Sequence, residues 1–165
     1  MKLPRRVDIC EVGTRDGFQI EPDWIPTERK VEVVDRLSAT GLPKIEVTSF
    51  VSPKAIPALK DAEMVMAQIE RRPGTVYAAL VPNDKGAVRA VDAGVDVIHT
   101  VCSASESHNL ANVNMTVDET LGKLRAVMEV AQRAHEKGAA GMESGGAGTG
   151  SRPAMDPAGA ATGAR

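Results

Sequence analysis

Runs rich in valine and isoleucine alternate with helical patterns along most of this chain, and this alternation constrains the fold more than any other feature. Strand-like runs lie at 7–13, 44–50, 75–83 and 95–105, and helical patterns at 26–42, 61–72, 84–94 and 116–138. Such alternation is typical of an α/β protein with a parallel sheet. Both a doubly wound sheet and a (β/α)8 TIM barrel remain open. Because a complete barrel needs about 250 residues, these first four β/α units would form a partial barrel.

The helical patterns carry a start signal and apolar faces. Thr116 and Glu119 have the spacing of a capping box at the start of the last helix. Residues three and four apart predict two apolar faces, formed by Ala62, Val65, Met66 and Ile69 in one helix and by Leu121, Leu124, Met128 and Ala131 in the last. Between the fourth strand and the last helix we expect a long polar loop.

The composition changes abruptly after residue 137. Segment 138–165 contains no Val, Ile, Leu or aromatic residue and consists mostly of Gly and Ala. Such a segment cannot bury enough surface to offset the entropy of ordering it. We therefore interpret 138–165 as a disordered or poorly ordered tail, and if residues 1–137 form a barrel, they are its N-terminal half. The tail is either native or the product of a frameshift or an erroneous gene model.

Charge and hydropathy argue against several classes of partner. The formal net charge is −2, which favours neither nucleic acid nor a membrane surface. The chain has no apolar run of about 18 residues, and its N-terminus lacks the apolar core of a secretory signal. Cys10 and Cys102 lie in strand-like runs, and we interpret them as small buried hydrophobes rather than a disulfide. These features predict a cytoplasmic protein.

Polar side chains follow the apolar bodies of the predicted strands. Sites in parallel α/β folds form where strands end at their carboxyl edge. The side chains expected there include Arg15, Asp16, Ser49, Asn83, Ser103, Ser105, His108, Asn109 and Asn112. The Arg15–Asp16 pair has a second interpretation as a solvated turn, since Asp-Gly is a common turn pair. His99, inside the fourth strand, is interpreted as a hydrogen-bonded core residue rather than a ligand.

Glu46 is the most informative of the charged residues, because it lies between Ile45 and Val47 in a strand-like run. A carboxylate at such a position is costly unless it is paired with a cation or a metal. Alternation places Glu46 on the face opposite its two apolar neighbours. In a barrel that face is the interior, which would direct Glu46 at Arg15. On an edge strand Glu46 would instead face solvent.

Three motifs together resemble the hydroxymethylglutaryl-CoA lyase family. They are EVGTRDGFQIE (11–21), KIEVTSFVSPKAIPAL (44–59) and SASESHNLANVN (103–114), in consistent order and spacing over residues 7 to about 137. The resemblance implies a metal-dependent TIM barrel that cleaves the acyl-CoA substrate 3-hydroxy-3-methylglutaryl-CoA to acetoacetate and acetyl-CoA. This carbon–carbon lyase reaction belongs to leucine degradation and ketone body formation. A homo-oligomer is compatible with the resemblance.

The resemblance also implies roles for individual residues. Asp16 is implied as a ligand of a divalent cation, Mg²⁺ or Mn²⁺, which would lower the pKa of the substrate hydroxyl. Arg15 is implied as the catalytic cation that stabilises the enolate, and Glu46 as the catalytic acidic residue that organises Arg15 and the metal site. The implied substrate-binding residues are Gln19, Ser49, Ser103, Ser105 and His108. Ile20 departs from the family, whose lyases usually carry Asn there.

The family supplies further groups that this sequence lacks. They are a metal-binding His-x-His pair, an Asn and a Gly-rich loop with a Cys, all from later strands. We therefore expect these 165 residues alone to bind metal weakly and to cleave the substrate negligibly. One alternative is a condensing relative, such as a 2-isopropylmalate, homocitrate or citramalate synthase, although SFVSPKAIPAL favours the lyase. A non-catalytic truncated product is the other alternative.

Overall fold

A single parallel sheet organises the chain in the computed structural model, which describes residues 4–144. Its strand order is β1-β2-β3-β4, and all three pairings are parallel. The strands are β1 (Cys10–Glu11), β2 (Lys44–Ser49), β3 (Val76–Leu80) and β4 (Val97–His99). The predicted parallel sheet is confirmed, although each strand ends earlier than its apolar run suggested.

Helices connect the strands. They are α1 (Phe18–Ile20), α2 (Thr27–Ser38), α3 (Ala62–Gln68), α4 (Asp84–Asp92), α5 (Glu106–Val113) and α6 (Val117–Ser144). α5 occupies the segment for which we expected a polar loop, so that expectation is wrong. α6 extends past the expected boundary at residue 138, and the rest of the expected tail, 145–165, lies outside the described residues. Within the described chain, every helix is too short or too polar to cross a membrane.

The core lies between the sheet and its helices. The predicted face of α3 is confirmed, because all four of its side chains are buried. The predicted face of α6 is wrong for Leu121 and Met128, which are 42% and 60% exposed, whereas Leu124 and Ala131 are half-buried and Thr120 and Val127 are buried. The capping box at the start of α6 is present, since the Glu119 backbone N–H donates to Thr116 Oγ1 and the Thr116 backbone N–H donates to Glu119 Oε2.

A buried ion pair fastens together the segments that follow β1 and β2. Lys30 Nζ of α2 lies 2.7 Å from Asp61 Oδ1, and both side chains are about as buried as the core. The same ammonium donates to the carbonyl oxygen of Ala58, and Thr27 Oγ1 donates to Asp61 Oδ2. Every charge in this network has a partner, which a buried pair requires. The network therefore joins the start of α2 to the segment that leads into α3.

The two cysteines differ from expectation in one respect. Both are free, as predicted, and Cys102 is half-buried. Cys10 is exposed, so its predicted burial is wrong. The reason is that β1 has only two residues and, among the described strands, pairs only with β2.

Candidate active site

The turn after β1 is held against β2 by its own sequence. Gly13–Gly17 forms a π-helical turn, in which the backbone N–H groups of Arg15 and Asp16 both donate to the carbonyl oxygen of Val12. Thr14 is buried, and its Oγ1 donates to the Glu46 carbonyl oxygen at 2.9 Å. The hydroxyl thus ties the turn to the backbone of β2, and the charged residues beside Thr14 are placed at the carboxyl end of β1.

Glu46 pairs with Arg15 across these two elements. Arg15 Nε donates to Glu46 Oε1 at 2.5 Å, with side-chain exposures of 18% and 5%. β2 has a neighbour on each side, so the solvent-facing alternative for Glu46 is wrong. The pairing of β2 with β3 is irregular between Glu46 and Thr48, a distortion that is common next to active sites. The predicted approach of Glu46 to Arg15 is confirmed.

Asp16 lies at the solvent side of this pair. Arg15 Nη1 lies 2.5 Å from Asp16 Oδ1, and the Asp16 side chain is 61% exposed. Arg15 therefore bridges two carboxylates, one buried and one open to solution. Among the described residues Asp16 Oδ2 has no hydrogen-bond partner, so this oxygen is free to contact a ligand.

His99 is a fourth member of the cluster, and sequence reasoning did not connect it with the site. Its Nδ1 contacts Glu46 Oε2, although the two residues lie on β4 and β2. The intervening β3 presents the small residues Ala78 and Ala79, paired with Glu46 and Thr48. A signal was available in the sequence, since His99 lies in the fourth predicted strand, whose carboxyl edge is shared with the other candidates. This signal could not be interpreted without the order of the strands in the sheet.

Cys10 lies near the same carboxylate but is not suited to nucleophilic attack. Although the residue as a whole is exposed, partial burial of its thiol raises the pKa of Cys10, and the negative charge of Glu46 raises it further. A thiol needs the opposite shift to be a thiolate near neutral pH. The chemistry of the cluster therefore rests on its charged groups.

Gln19, three residues after Asp16 in the sequence, lines a cavity. The cavity has a volume of about 520 Å³ and also contacts Trp24, Ile56 and Lys60. Gln19 Oε1 is buried and has no hydrogen-bond partner among the described residues. A buried amide oxygen left unpaired is costly, so this atom is suited to accept a hydrogen bond from a ligand.

The other predicted pocket residues have local roles. Ser49 is buried, and its Oγ donates to the Leu80 carbonyl oxygen. Ser105 caps the start of α5, where its Oγ accepts from the backbone N–H of His108, and both residues are exposed. The Ser103 backbone N–H donates to Asn109 Oδ1. Within the described part of the chain, no hydrogen bond or ion pair joins these residues to the Arg15 cluster.

Asn109 follows the fourth strand, as predicted, but sequence reasoning gave it no structural role. It is buried, and its Nδ2 donates to the carbonyl oxygens of Met115 and Thr116 and to Thr120 Oγ1. It therefore fixes the loop after β4 against both α5 and α6. A polar residue one turn after a helix cap gives no sequence signal for such a role, because it equally fits a solvated helix face.

The described residues do not form a complete metal site. No group of three or more His, Cys, Asp or Glu side chains in residues 4–137, whose side chains the structure describes, is arranged to hold a metal ion. The hard divalent cation Mg²⁺ takes several oxygen ligands, including waters. Asp16, exposed and with one free oxygen, fits a single ligand position but not a whole site.

Comparison with known proteins identifies relatives of this arrangement. The chain matches the family described as HMGL-like over residues 6–152. The hydroxymethylglutaryl-CoA lyase YngG of Bacillus subtilis is 49% identical over 135 residues, which are 82% of this chain and 45% of that protein. The 3-hydroxy-3-isohexenylglutaryl-CoA/hydroxy-methylglutaryl-CoA lyase of Pseudomonas aeruginosa is 43% identical over 133 residues, 81% of this chain and 44% of that protein. The chain spans less than half the length of these relatives.

Solved structures agree with the sequence matches. The HMG-CoA lyase of Bacillus subtilis superimposes with a TM-score of 0.78 at 49% identity, over 82% of this chain and 45% of the other. An HMG-CoA lyase from Acinetobacter baumannii, in complex with coenzyme A and 3-methylmalate, gives a TM-score of 0.72 at 46% identity, over 74% and 40% of the two chains. The prediction of a partial TIM barrel is confirmed by these likenesses.

Proposed function

This chain belongs to the HMGL-like family, and from that premise we propose that it forms the part of a hydroxymethylglutaryl-CoA lyase that carries Arg15, Asp16 and Glu46. The proposed reaction cleaves 3-hydroxy-3-methylglutaryl-CoA to acetoacetate and acetyl-CoA. The observation that carries the proposal is the bridge that Arg15 makes between a buried carboxylate and an exposed one at the carboxyl edge of the sheet. Relatives of 43–49% identity that carry this lyase name support it.

Arg15 is suited to stabilise the charge that develops in this reaction. When the tertiary hydroxyl loses its proton, the electrons of the breaking carbon–carbon bond move to the acetyl-CoA thioester and form an enolate. Arg15 uses Nε for Glu46 and Nη1 for Asp16, and its Nη2 has no partner among the described residues. A preorganised cationic donor at the enolate oxygen lowers the barrier, typically by about 10²–10³ in rate for one such donor.

Glu46 would hold Arg15 in place. A guanidinium on a long side chain has many rotamers, and fixing one of them before the substrate arrives is what makes an electrostatic contact effective. The buried carboxylate of Glu46 fixes the Nε edge, while Thr14 fixes the turn that carries Arg15. The Arg15 position is thus determined by β2 as well as by its own turn.

Asp16 is the ligand that this chain would contribute to Mg²⁺ or Mn²⁺. Its exposure and its free Oδ2 support the assignment. The described residues supply no further ligand set, so we expect weak metal binding by this chain alone. Among the other predicted pocket residues, Gln19 has the strongest support, because its buried oxygen faces no protein donor within the described residues.

A non-catalytic role for this chain is the second candidate. It is favoured by the incomplete metal site among the described residues. A cytoplasmic location is part of the main proposal. It is supported by the rat cytoplasmic 3-hydroxy-3-methylglutaryl-CoA lyase, which is 44% identical over 130 residues, although mitochondrial lyases match as well.

The test compares the 165-residue chain with a completed protein. In the completed protein, residues 1–137 are followed by the remaining part of the Bacillus subtilis lyase. Acetoacetate release from 3-hydroxy-3-methylglutaryl-CoA is measured with Mg²⁺. We expect turnover by the completed protein and negligible turnover by the chain alone. A folded completed protein that releases no acetoacetate, but releases free thiol from acetyl-CoA and a 2-oxo acid, would instead support the synthase alternative.

A further inference from the structure

The Glu46 carboxylate has a different donor on each of its two oxygens. Arg15 Nε lies on Oε1, and His99 Nδ1 lies on Oε2. We propose that His99 is a positioning residue of this site, which fixes the plane of the Glu46 carboxylate and through it the guanidinium of Arg15. The catalytic consequence of this inference rests on the proposed lyase function, whereas the contact itself does not.

The need for a second donor follows from how Arg15 divides its hydrogen bonds. Arginine usually binds a carboxylate with two parallel N–H groups, which fixes both partners. Arg15 instead gives Nε to Glu46 and Nη1 to Asp16, so Glu46 receives a single contact from it. The terminal torsion of a glutamate is broad, and one contact leaves the carboxylate free to rotate.

Burial makes the second oxygen costly to leave unpaired. The Glu46 side chain is only 5% exposed, so water cannot readily solvate Oε2. An unsatisfied buried acceptor costs the desolvation free energy of the group, and more when the group is charged. His99 supplies this missing donor. Because a carboxylate only accepts, the imidazole proton must lie on Nδ1.

The backbone of His99 is well placed to serve as a fixed support. His99 pairs with Leu80 in the parallel ladder of β3 and β4, and its carbonyl oxygen accepts from the backbone N–H of Val81 at 2.8 Å. The imidazole therefore starts from a strand and not from a loop. Its side chain is 28% exposed, which leaves one edge accessible at the surface where the substrate would arrive.

The first test is made on the unmodified 165-residue chain. Long-range ¹H–¹⁵N correlation spectra of the histidine rings report which ring nitrogen of His99 carries the proton. We expect a protonated Nδ1. An unprotonated Nδ1 would overturn the proposal, since it cannot donate a hydrogen bond to Glu46.

The second test uses matched substitutions and the Arg15 Nε–H signal in ¹⁵N-arginine-labelled chain. His99→Leu removes the donor, His99→Asn keeps a donor amide at similar reach, and His135→Asn changes an exposed histidine of α6. For His99→Leu we expect solvent exchange of Arg15 Nε–H to accelerate about tenfold, the equivalent of one lost hydrogen bond. For the two Asn variants we expect exchange close to that of the parent. Unchanged exchange in His99→Leu would overturn the proposal.

The third test separates positioning from folding in the completed lyase. We expect His99→Leu to lower kcat about tenfold with little change in KM, and His99→Asn to restore most of kcat. If the completed parent cleaves the substrate and His99→Leu is equally active, the positioning role is wrong although the lyase function stands. If the parent itself is inactive, the lyase function fails, and the ring and exchange measurements still decide the role of His99.

Discussion

Arg15 and Glu46 are 31 residues apart in the sequence, yet Arg15 Nε lies 2.5 Å from Glu46 Oε1. The contact joins the turn after β1 to the body of β2, and it places one cation between a buried carboxylate and an exposed one. Because Glu46 lies inside the sheet, the position of Arg15 is determined by the fold and not by the flexibility of a surface loop.

Replacing Glu46 with Gln should destabilise the protein as well as the site. The substitution keeps the shape of the side chain but removes the charge that pairs with Arg15. We expect the free energy of unfolding to fall by about 1–3 kcal/mol in urea titrations. The same change at Glu129, an exposed residue of α6, serves as the control. Equal effects of the two substitutions would mean that the Arg15–Glu46 pair does not stabilise the fold.

The buried Lys30–Asp61 pair gives a second stability prediction. Lys30→Met leaves the Asp61 carboxylate buried without its cation, and we expect a loss of about 3–5 kcal/mol in the free energy of unfolding. The double variant Lys30→Met, Asp61→Leu should recover much of that loss, since no unpaired charge remains. Lys85→Met on the exposed face of α4 is the control. A double variant no more stable than Lys30→Met would argue against an unpaired charge as the cause.

Asn109 should determine the order of the segment after β4. Its side chain makes three donor contacts and accepts one backbone N–H, all from residues 103–120. Asn109→Ala should accelerate backbone amide exchange throughout α5, whereas Asn112→Ala, on an exposed position of the same helix, should not. Uniform protection of α5 in both variants would assign the stability of this segment to its apolar contacts instead.

The Glu63–Arg89 pair gives a prediction for pH. A hydrogen bond from Arg89 Nε at 2.6 Å holds the pKa of Glu63 below its usual range. A lowered folded-state pKa contributes stability above the unfolded value of about 4.3, which is lost as the pH falls through the folded-state value. Because both side chains are partly exposed, the contribution should be below about 1 kcal/mol.

The measurement is the thermal midpoint across the acid range for the parent and Glu63→Gln. We expect the two proteins to differ most at neutral pH and to converge as the pH falls. A difference in thermal midpoint that grows toward acid pH would contradict a stabilising Glu63–Arg89 pair.

The parallel sheet and the charged pair could be predicted because they depend on local patterns, whereas the barrel was predicted only through the resemblance to the lyase family. Valine- and isoleucine-rich runs define the strands, and a buried carboxylate between Ile45 and Val47 is costly without a cation or a metal nearby. Parallel strands place their carboxyl ends at one edge, which is enough to bring Arg15 and Glu46 together.

Other features depend on information that one sequence does not carry. The contact of His99 with Glu46 needs the strand order and the small residues of β3 between them. The buried face of α6 was ambiguous, because neighbouring apolar residues such as Val127 and Met128 define two overlapping stripes. α5 was missed because its exposed, polar surface has the composition of a loop.

The most direct test of the central claim is the kcat of Arg15→Met in the completed lyase. This substitution keeps an unbranched apolar stem and removes the guanidinium proposed to stabilise the enolate, and we expect kcat for acetoacetate release to fall by about 10²–10³. Arg36→Met, at a position of α2 that is 79% exposed, should retain the parental rate. Turnover by folded Arg15→Met equal to that of the Arg36→Met control would contradict the assignment of Arg15 to the reaction.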